Sequence, residues 1–439
     1  MLSTNNNTRR VQLYCFSEKL QILFLTCKLG YYAICMPKPD IISELLTRGT
    51  EEVIVRENIE KRLRRGEKLR VKFGIDPTAP EMHLGHLVPL RKLAAFQRLG
   101  HTIVFIMGDF TAMIGDPTGR NELRKSLTRE ETRKNAEDYL NEASKILNIR
   151  KAEVHYNSEW LDKLGISGLF ELMSRITVQR ALERDDFQKR IKEDREISLL
   201  ESVYPLLQGY DSVAIRADIE IGGTDQKFNL LMGRRVQRRY GMAEQDVLTM
   251  ALIEGTDGVR KMSKSYGNYI SFRDTPRDVY GKVMSVPDAL LIKYFRVLTD
   301  HPIDEVEKWD VVLKKDKANF PARDLKMQLA KEMVRQMHGA VAAASAEKEF
   351  ISVFQKRAEP TDVPEKTLRK NSYFLCDLLV ETGLAVSKSE ARRLIEQGGV
   401  HVDGKRAEDP AAEIKLGKKP RLIKVGKRKF MKISTLILV

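Results

Sequence analysis

A chain of 439 residues and 50.3 kDa exceeds one compact domain and accommodates about three units at ~100–200 residues each. Its 42% hydrophobic and 31% charged residues and mean hydropathy of -0.36 are those of a soluble globular protein, and without a run of about 18 apolar residues no membrane span is expected. A formal charge of +15, from 76 Lys or Arg against 61 Asp or Glu, favours polyanionic partners without selecting any one of them, while Cys15, Cys27 and Cys35 with the distant Cys376 form neither a disulfide framework nor a structural zinc set.

Residues 1–35 are a basic extension with Glu18 as their one acid, and they lack the single apolar core of a secretory signal. They leave open a disordered tail, or a mature chain starting near Met36 after internal initiation or removal of an organelle-targeting segment. From Pro37 to about Arg65 the spacing of Ile41, Leu45 and Leu46 predicts one or two amphipathic helices. Leu69 to Ile75 reads as a strand, His83 to Gly100 as the helix after it, and Thr102 to Met107 as a second, fully apolar strand. Strand, glycine-containing turn, helix and strand in that order predict a parallel βαβ unit and an α/β fold with a Rossmann-type doubly wound parallel sheet. Asn121 to Ser202 is mostly charged helix, interrupted by a strand at Ala152 to His155, and Ile215 to Ile221 and Val247 to Ile253 read as further strands. A helical insertion therefore splits the sheet. The pattern is helical from Thr275 to about Lys356, Glu359 to Glu365 reads as a linker, and Lys366 to Ile433 holds 17 Lys or Arg against 8 Asp or Glu. The expected organisation is 1–35 extension, 36–255 sheet domain with insertion, 256–358 all-α domain, 359–370 linker and 371–433 small basic α+β domain.

Two stretches carry chemistry. KFGIDPTAPEMHLGH, Lys72 to His86, runs from strand to helix start; Gly74 and Gly85 allow close backbone approach, and His83 and His86 lie where helix N–H groups favour phosphate. Alone, two histidines near a helix start are more often surface or core residues. KMSKS, Lys261 to Ser265, sits among Gly255, Gly258 and Gly267, so a glycine-flanked loop presents two cations able to neutralise charge on a departing polyphosphate. Alone, it is more often a solvated basic loop.

HLGH and KMSKS in this order across an α/β domain resemble the two marks of class I aminoacyl-tRNA synthetases. GDFTAMIGDPTGR (Gly108 to Arg120), YPLLQGYDS (Tyr204 to Ser212) and IGGTDQKFN (Ile221 to Asn229) further resemble the tyrosyl-tRNA synthetases, in particular a bacterial-type second subgroup. Tyr204, Gln208 and Asp211 fall at i, i+4 and i+7, on one helix face. The resemblance implies that Asp116, Tyr204 and Gln208 hold a substrate ammonium, that Asp211 accepts its phenol hydroxyl, and that Gln226 stands near the reacting carboxylate. It places Gly74, Asp76, Thr78, His83, Gly85, His86, Gly223, Asp225 and Lys264 at ATP, and gives His83, His86, Lys261, Lys264, Arg120 and Arg124 the work on the transferring and leaving phosphates. ATP enters as a substrate accompanied by Mg²⁺, with no protein-bound metal expected. The implied reaction is formation of tyrosyl-adenylate from L-tyrosine and ATP, then transfer of tyrosine to the 3′ end of tRNA(Tyr).

One position departs from the pattern. Where many bacterial tyrosyl enzymes have a tyrosine sharing the phenol contact, this chain has Lys72, which leaves open what accompanies Asp211 and favours pairing of Lys72 with a neighbouring carboxylate. NSYFLCDLLVETGLAVSKSEARRLIEQGGVHVDGKR resembles an S4-like RNA-binding domain, with Lys388, Arg392 and Arg393 as RNA contacts, a helix at Ser389 to Gln397, the strand Val400 to Val402 and a hairpin turn at Asp403-Gly404. The resemblance also implies a cytoplasmic homodimer joined through the insertion near Gln179 to Lys192. Two rivals are a tryptophanyl enzyme, against which the YPLLQGYD and GGTDQ wording stands, and a non-catalytic RNA-binding paralogue, which predicts broken ATP stretches.

Overall fold

The computed structural model describes residues 40–116, 127–316, 320–352, 363–426 and 429–435. Arg120, Arg124 and the first four residues of the expected linker lie outside the described residues, as does the 1–35 extension.

Six strands form the first sheet: β1 (Thr50–Ile54), β2 (Arg70–Ile75), β3 (Thr102–Met107), β4 (Glu153–Tyr156), β5 (Ile219–Gly223) and β6 (Asp246–Met250), in the spatial order β1-β6-β5-β2-β3-β4. All neighbours pair in parallel except β1, which runs antiparallel to β6. The order turns at β2, so the sheet is doubly wound, and a crevice opens at the strands' carboxyl ends where such folds place ligands. β3 is almost continuously apolar, and β6 is buried along its whole length, because both faces of each are covered.

Three readings of the sequence need correction, the first being the expected 359–370 linker, within which Glu365–Leu368 is a strand paired in parallel with Lys429–Thr435. Residues 37–65 are not helix alone: the helices Ile41–Thr47 and Arg56–Arg64 enclose β1. The break is made by Gly49 at φ +68 and Val55 at φ 60, left-handed conformations that helix periodicity does not reveal and that a β-branched residue rarely adopts. The strand read at Ile215 to Ile221 begins only at Ile219; Ile215 caps the helix Leu199–Ala214, and Arg216, at φ 52, turns the chain toward the sheet.

Between β3 and β5 lie the helices Thr111–Ile114, Arg129–Ala143, Ser158–Ser174, Val178–Ala181, Asp185–Lys192 and Leu199–Ala214; Ser158–Ser174 and Leu199–Ala214 share with Lys227–Arg239, between β5 and β6, an apolar cluster that includes Leu172, Leu206 and Val236. After β6 come Pro276–Met284, Leu291–Leu298, Ile303–Lys315, Ala322–His338 and Ala340–Phe350. Their buried residues continue the same core as the sheet, so Phe105, Leu248, Tyr294 and Met333 belong to one cluster. The C-terminal segment has its own core around Leu378, Ile395 and Ile423. It comprises the helices Leu375–Glu381 and Lys388–Glu396 and a five-stranded sheet ordered Lys405–Arg406, Val400–Val402, Arg421–Val425, Lys429–Thr435, Glu365–Leu368. Asp403 at φ 49 and Gly404 at φ 79 form the expected tight hairpin turn.

Candidate active site

A cavity of about 380 Å³ opens at the carboxyl ends of β2, β5 and β6. Helix Leu199–Ala214 supplies one wall: Tyr204, Gln208 and Asp211 all face the cavity from one stripe, while Val203, Leu206 and Leu207 pack behind. The spacing read from the sequence is therefore a lining face and not a solvent stripe.

Asp211 is 3% exposed and accepts a hydrogen bond from Trp160 Nε1 at 2.8 Å. Burial pushes its carboxyl up to about 7, against the opposing effects of the Lys72 charge and of hydrogen bonds from Trp160 and Asn157. Trp160 and Asn157 escaped the sequence reading because they lie about fifty residues from Asp211 and belong to no recognised stretch; the spacing carried no signal. Lys72, by contrast, makes its own contacts elsewhere. That lysine is fully buried and donates to the Gln208 carbonyl at 2.8 Å and the Ser212 hydroxyl at 2.7 Å, and its ammonium lies 2.9 Å from Glu220 Oε1. Lys72 is thus paired with a carboxylate beneath the cavity floor, and Gln208 Nε2 donates to the same Glu220 oxygen at 3.2 Å.

The opposite end of the stripe is acidic. Asp76 accepts from Thr111 Oγ1 at 2.7 Å and from the Tyr204 hydroxyl at 2.9 Å, and Asp116 accepts from Gln226 Nε2 at 2.6 Å. Burial raises the Asp76 carboxyl to about 7; the two hydrogen bonds oppose this, while Asp116 and Asp211 reinforce it. Burial and the Asp76 charge likewise drive the Tyr204 phenol far above its ordinary range. Asp76 sits so close beneath β3 that a Cβ at Gly108 would lie 2.0 Å from its Oδ1 and 2.3 Å from Thr111 Oγ1; only glycine permits this contact. A buried carboxylate raised by burial and by neighbouring acids is relieved by an incoming cation, so the Asp76 end is electrostatically suited to an ammonium group.

The helix Leu84–Arg98 points its N-terminus into the cavity. His83 is its cap, with Nδ1 accepting from the Gly85 amide at 3.2 Å, and His86 Nδ1 lies 3.1 Å from the His83 amide nitrogen. With its Nδ1 accepting from Gly85, His83 carries its ring proton on Nε2, whereas His86 Nδ1 lies 3.2 Å from the His83 carbonyl oxygen as well as near its amide. Burial first, then neighbouring positive charge, depresses both imidazoles: His86 to about 4 and His83 well below the usual histidine value. Both are therefore neutral near pH 7, their rings tilted by 54° with centroids 4.1 Å apart, beside a helix terminus suited to phosphate. Gly74, Thr78, Gly85, Gly223, Asp225 and Gln226 also line the cavity.

The loop after β6 brings Lys261 to the rim, where its Nζ lies 3.1 Å from Asp225 Oδ2. Lys264 is not part of the lining; its ammonium donates to the Glu81 carbonyl and lies 3.4 Å from the Tyr139 hydroxyl. Among the described residues, no group of three His, Cys, Asp or Glu is arranged to hold a metal ion, and no helix is long and apolar enough to cross a membrane. In the C-terminal segment, Lys388, Arg392 and Arg393 are all exposed on the helix Lys388–Glu396, with Lys388 paired to Asp377 at 2.5 Å.

The family model described as tRNA synthetases class I (W and Y) matches residues 64–355, and the S4 domain model matches 375–419. A tyrosine–tRNA ligase of Thermotoga maritima is 51% identical over 401 residues, covering 90% of this chain and 98% of the relative. That of Moorella thermoacetica is 48% identical over 395 residues, covering 89% and 95%. Among solved structures, the tyrosyl-tRNA synthetase of Archaeoglobus fulgidus complexed with L-tyrosine superposes with a TM-score of 0.56 at 25% identity, covering 70% of this chain and all of that one. With a matching catalytic-domain model, an S4 domain and relatives aligned over nearly their full length, the chain belongs to the tyrosine–tRNA ligase family of class I tRNA synthetases.

Proposed function

We propose that the cavity seats L-tyrosine between Asp211 and the Asp76/Asp116 end, and ATP against His83, His86 and the KMSKS loop. As a member of its family the chain is an aminoacyl-tRNA ligase that uses ATP, tyrosine and tRNA. The observation that carries the pocket assignment is its polarity: one buried carboxylate backed by an indole N–H at one end, and at the other Asp76, raised by burial and by the nearby Asp116 charge. A zwitterion with a hydroxyl at its far end matches both. In its ionised form Asp211, with one oxygen on Trp160, offers its second oxygen to a phenol proton. Phenylalanine leaves that oxygen unpaired, which is how a buried acceptor discriminates.

Adenylation is in-line attack of the tyrosine carboxylate on the α-phosphorus, with the chain supplying position and charge and no covalent intermediate. Neutral His83 donates Nε2–H toward phosphate oxygens, neutral His86 adds no cation to compete for the substrate carboxylate, and the helix N-terminus adds its dipole. Gly223 leaves room for the ribose beside Asp225, and Gln226, anchored through Asp116, stands by the reacting carboxylate. Mg²⁺ arrives with ATP and offsets charge on the departing pyrophosphate, together with Lys261, Lys264, Arg120 and Arg124. For Lys264 this requires the loop to leave the Glu81 carbonyl. The adenylate then passes tyrosine to the 3′ end of tRNA(Tyr), held in part by Lys388, Arg392 and Arg393. The active form is a homodimer in the cytoplasm, and exposed Ile166, Phe170, Val178 and Leu199 on the insertion supply an apolar patch of the kind that joins subunits.

ATP–pyrophosphate exchange without tRNA tests the reading. Tyrosine alone should support exchange; equal exchange with tryptophan, or none with any amino acid in folded protein with Mg²⁺, overturns the pocket assignment.

A further inference from the structure

A second cavity, of about 300 Å³, lies between the helices Ile41–Thr47, Leu84–Arg98 and Leu291–Leu298 and shares no lining residue with the first. The charge of its wall is unbalanced: Arg48, Arg91, Lys92 and Arg98 face Glu44 and Asp300. Both acids are already matched. Glu44 pairs with Arg48 at 2.9 Å, and that guanidinium also donates to the carbonyls of Thr299 and His301 at 3.1 and 2.9 Å. Asp300 pairs with Arg91, which donates as well to Gln336 Oε1 at 2.9 Å.

Two cations remain. Lys92 is 5% exposed, and its ammonium donates to the Leu45 carbonyl in the last turn of helix Ile41–Thr47, with no carboxylate in ion-pair contact among the described residues. Arg98 is exposed and makes no ion pair among the described residues. A buried ammonium satisfied by one carbonyl is costly unless an anion completes its shell, and burial holds this one down to about 7, with Arg48 lowering it further and Glu44 opposing. The rest of the wall is apolar: Ile41, Leu45, Val88, Ala95, Leu99 and Val297.

We propose that this cavity binds a small carboxylate with a short apolar chain, its carboxylate held by Lys92 and Arg98 and its chain lying on Leu45, Val88 and Val297. Apart from these charges the wall is apolar, and two cations without a carboxylate partner among the described residues suit one carboxylate with an apolar chain better than a polyphosphate. The chain's own residues 1–35, with four Lys or Arg against one acid, carry the same sign as the wall, so electrostatics favours a free anion over this segment. The proposal stands apart from the tyrosine pocket and does not depend on it.

Isothermal titration of the full chain with hexanoate, and with hexan-1-ol as the uncharged probe, tests it. Saturable one-site binding of hexanoate is expected. At about pH 8 it should proceed with proton uptake, seen as a buffer-dependent heat, because an anion beside Lys92 raises its pKa toward the ordinary lysine range of about 10.4. Losing one charged hydrogen bond should weaken hexanoate about tenfold or more in Lys92→Met and in Arg98→Gln alike. Arg98 is exposed, so its variant separates loss of binding from loss of fold. Absence of saturable heat with the wild type, hexanol binding as tightly as hexanoate, or unchanged affinity in Arg98→Gln overturns the proposal.

Discussion

Replacing Trp160 with phenylalanine keeps an aromatic ring against its apolar neighbours and deletes the N–H that Asp211 accepts at 2.8 Å. A hydrogen bond to a charged group contributes about 1.5–3 kcal/mol, and one pKa unit corresponds to about 1.4 kcal/mol. The variant's Asp211 should therefore rise by roughly one to two units from its value of about 7. At about pH 7.5, its ionised fraction falls from about three quarters to between about a quarter and a thirtieth. The phenol needs the ionised form: with one oxygen free, a protonated Asp211 donates where it must accept. The KM for tyrosine should rise about 3- to 25-fold near pH 7.5 and recover to within about twofold of wild type near pH 9, with KM for ATP unchanged. Pyrophosphate exchange against tyrosine concentration across this pH range gives the measurement. A KM penalty that stays constant with pH, or no penalty at all, refutes the argument, because the indole would then shape the pocket without setting the carboxylate's charge.

Three further outcomes follow from the same geometry. Lys72→Met strands Glu220, 1% exposed, without its cation, and should cost about 3–5 kcal/mol in chemical unfolding; Lys72→Met with Glu220→Gln should recover most of this, and a single variant within about 1 kcal/mol of wild type would contradict the pairing. Asp76 and Asp211 are both held near 7 when folded against 3.8 unfolded, so the folded state binds more protons through that window and their contribution to stability declines as pH rises across it; Asp211→Asn should flatten the fall in ligand-free stability between about pH 5 and 7, measured against wild type. Lys264→Ala should slow pyrophosphate exchange with tyrosine affinity little changed, whereas Asp211→Ala should raise the tyrosine requirement sharply; reversed phenotypes overturn the division between loop and pocket.

Much of this molecule was legible where one local rule decides the outcome. Thr102–Met107 came out to the residue because an apolar run between Gly100 and Gly108 has few alternatives, and the Tyr204, Gln208, Asp211 face followed from helical spacing. β1 was missed because its identity rests on two left-handed residues and on β6, far away in sequence. Trp160 was missed for a similar reason. An indole within a largely apolar helix reads as core, and only the fold reveals that its N–H reaches a carboxylate fifty-one residues on. Lys72 was read correctly as a paired lysine, yet its partner Glu220, inside a strand of otherwise apolar residues, carried no mark of that role.

Lys72 also bears on how the pocket tolerates its acids. Asp76, Asp116, Asp211 and Glu220 all border one small cavity, and burying several carboxylates together is untenable unless each is paired, hydrogen-bonded or protonated. Glu220 is neutralised by Lys72, which does not line the cavity, and is further hydrogen-bonded by Ser212 and Gln245. Asp76 and Asp211 instead keep values near 7 and so are poised to ionise when a ligand supplies the missing cation and donor. A zwitterionic substrate seated as proposed would do both at once, its ammonium lowering Asp76 while its phenol lowers Asp211. Binding should then release protons near pH 7, whereas a substrate lacking the hydroxyl releases fewer. Buffer-dependent calorimetry with tyrosine and phenylalanine measures the difference directly. Equal proton release for the two ligands would place the discrimination somewhere other than Asp211.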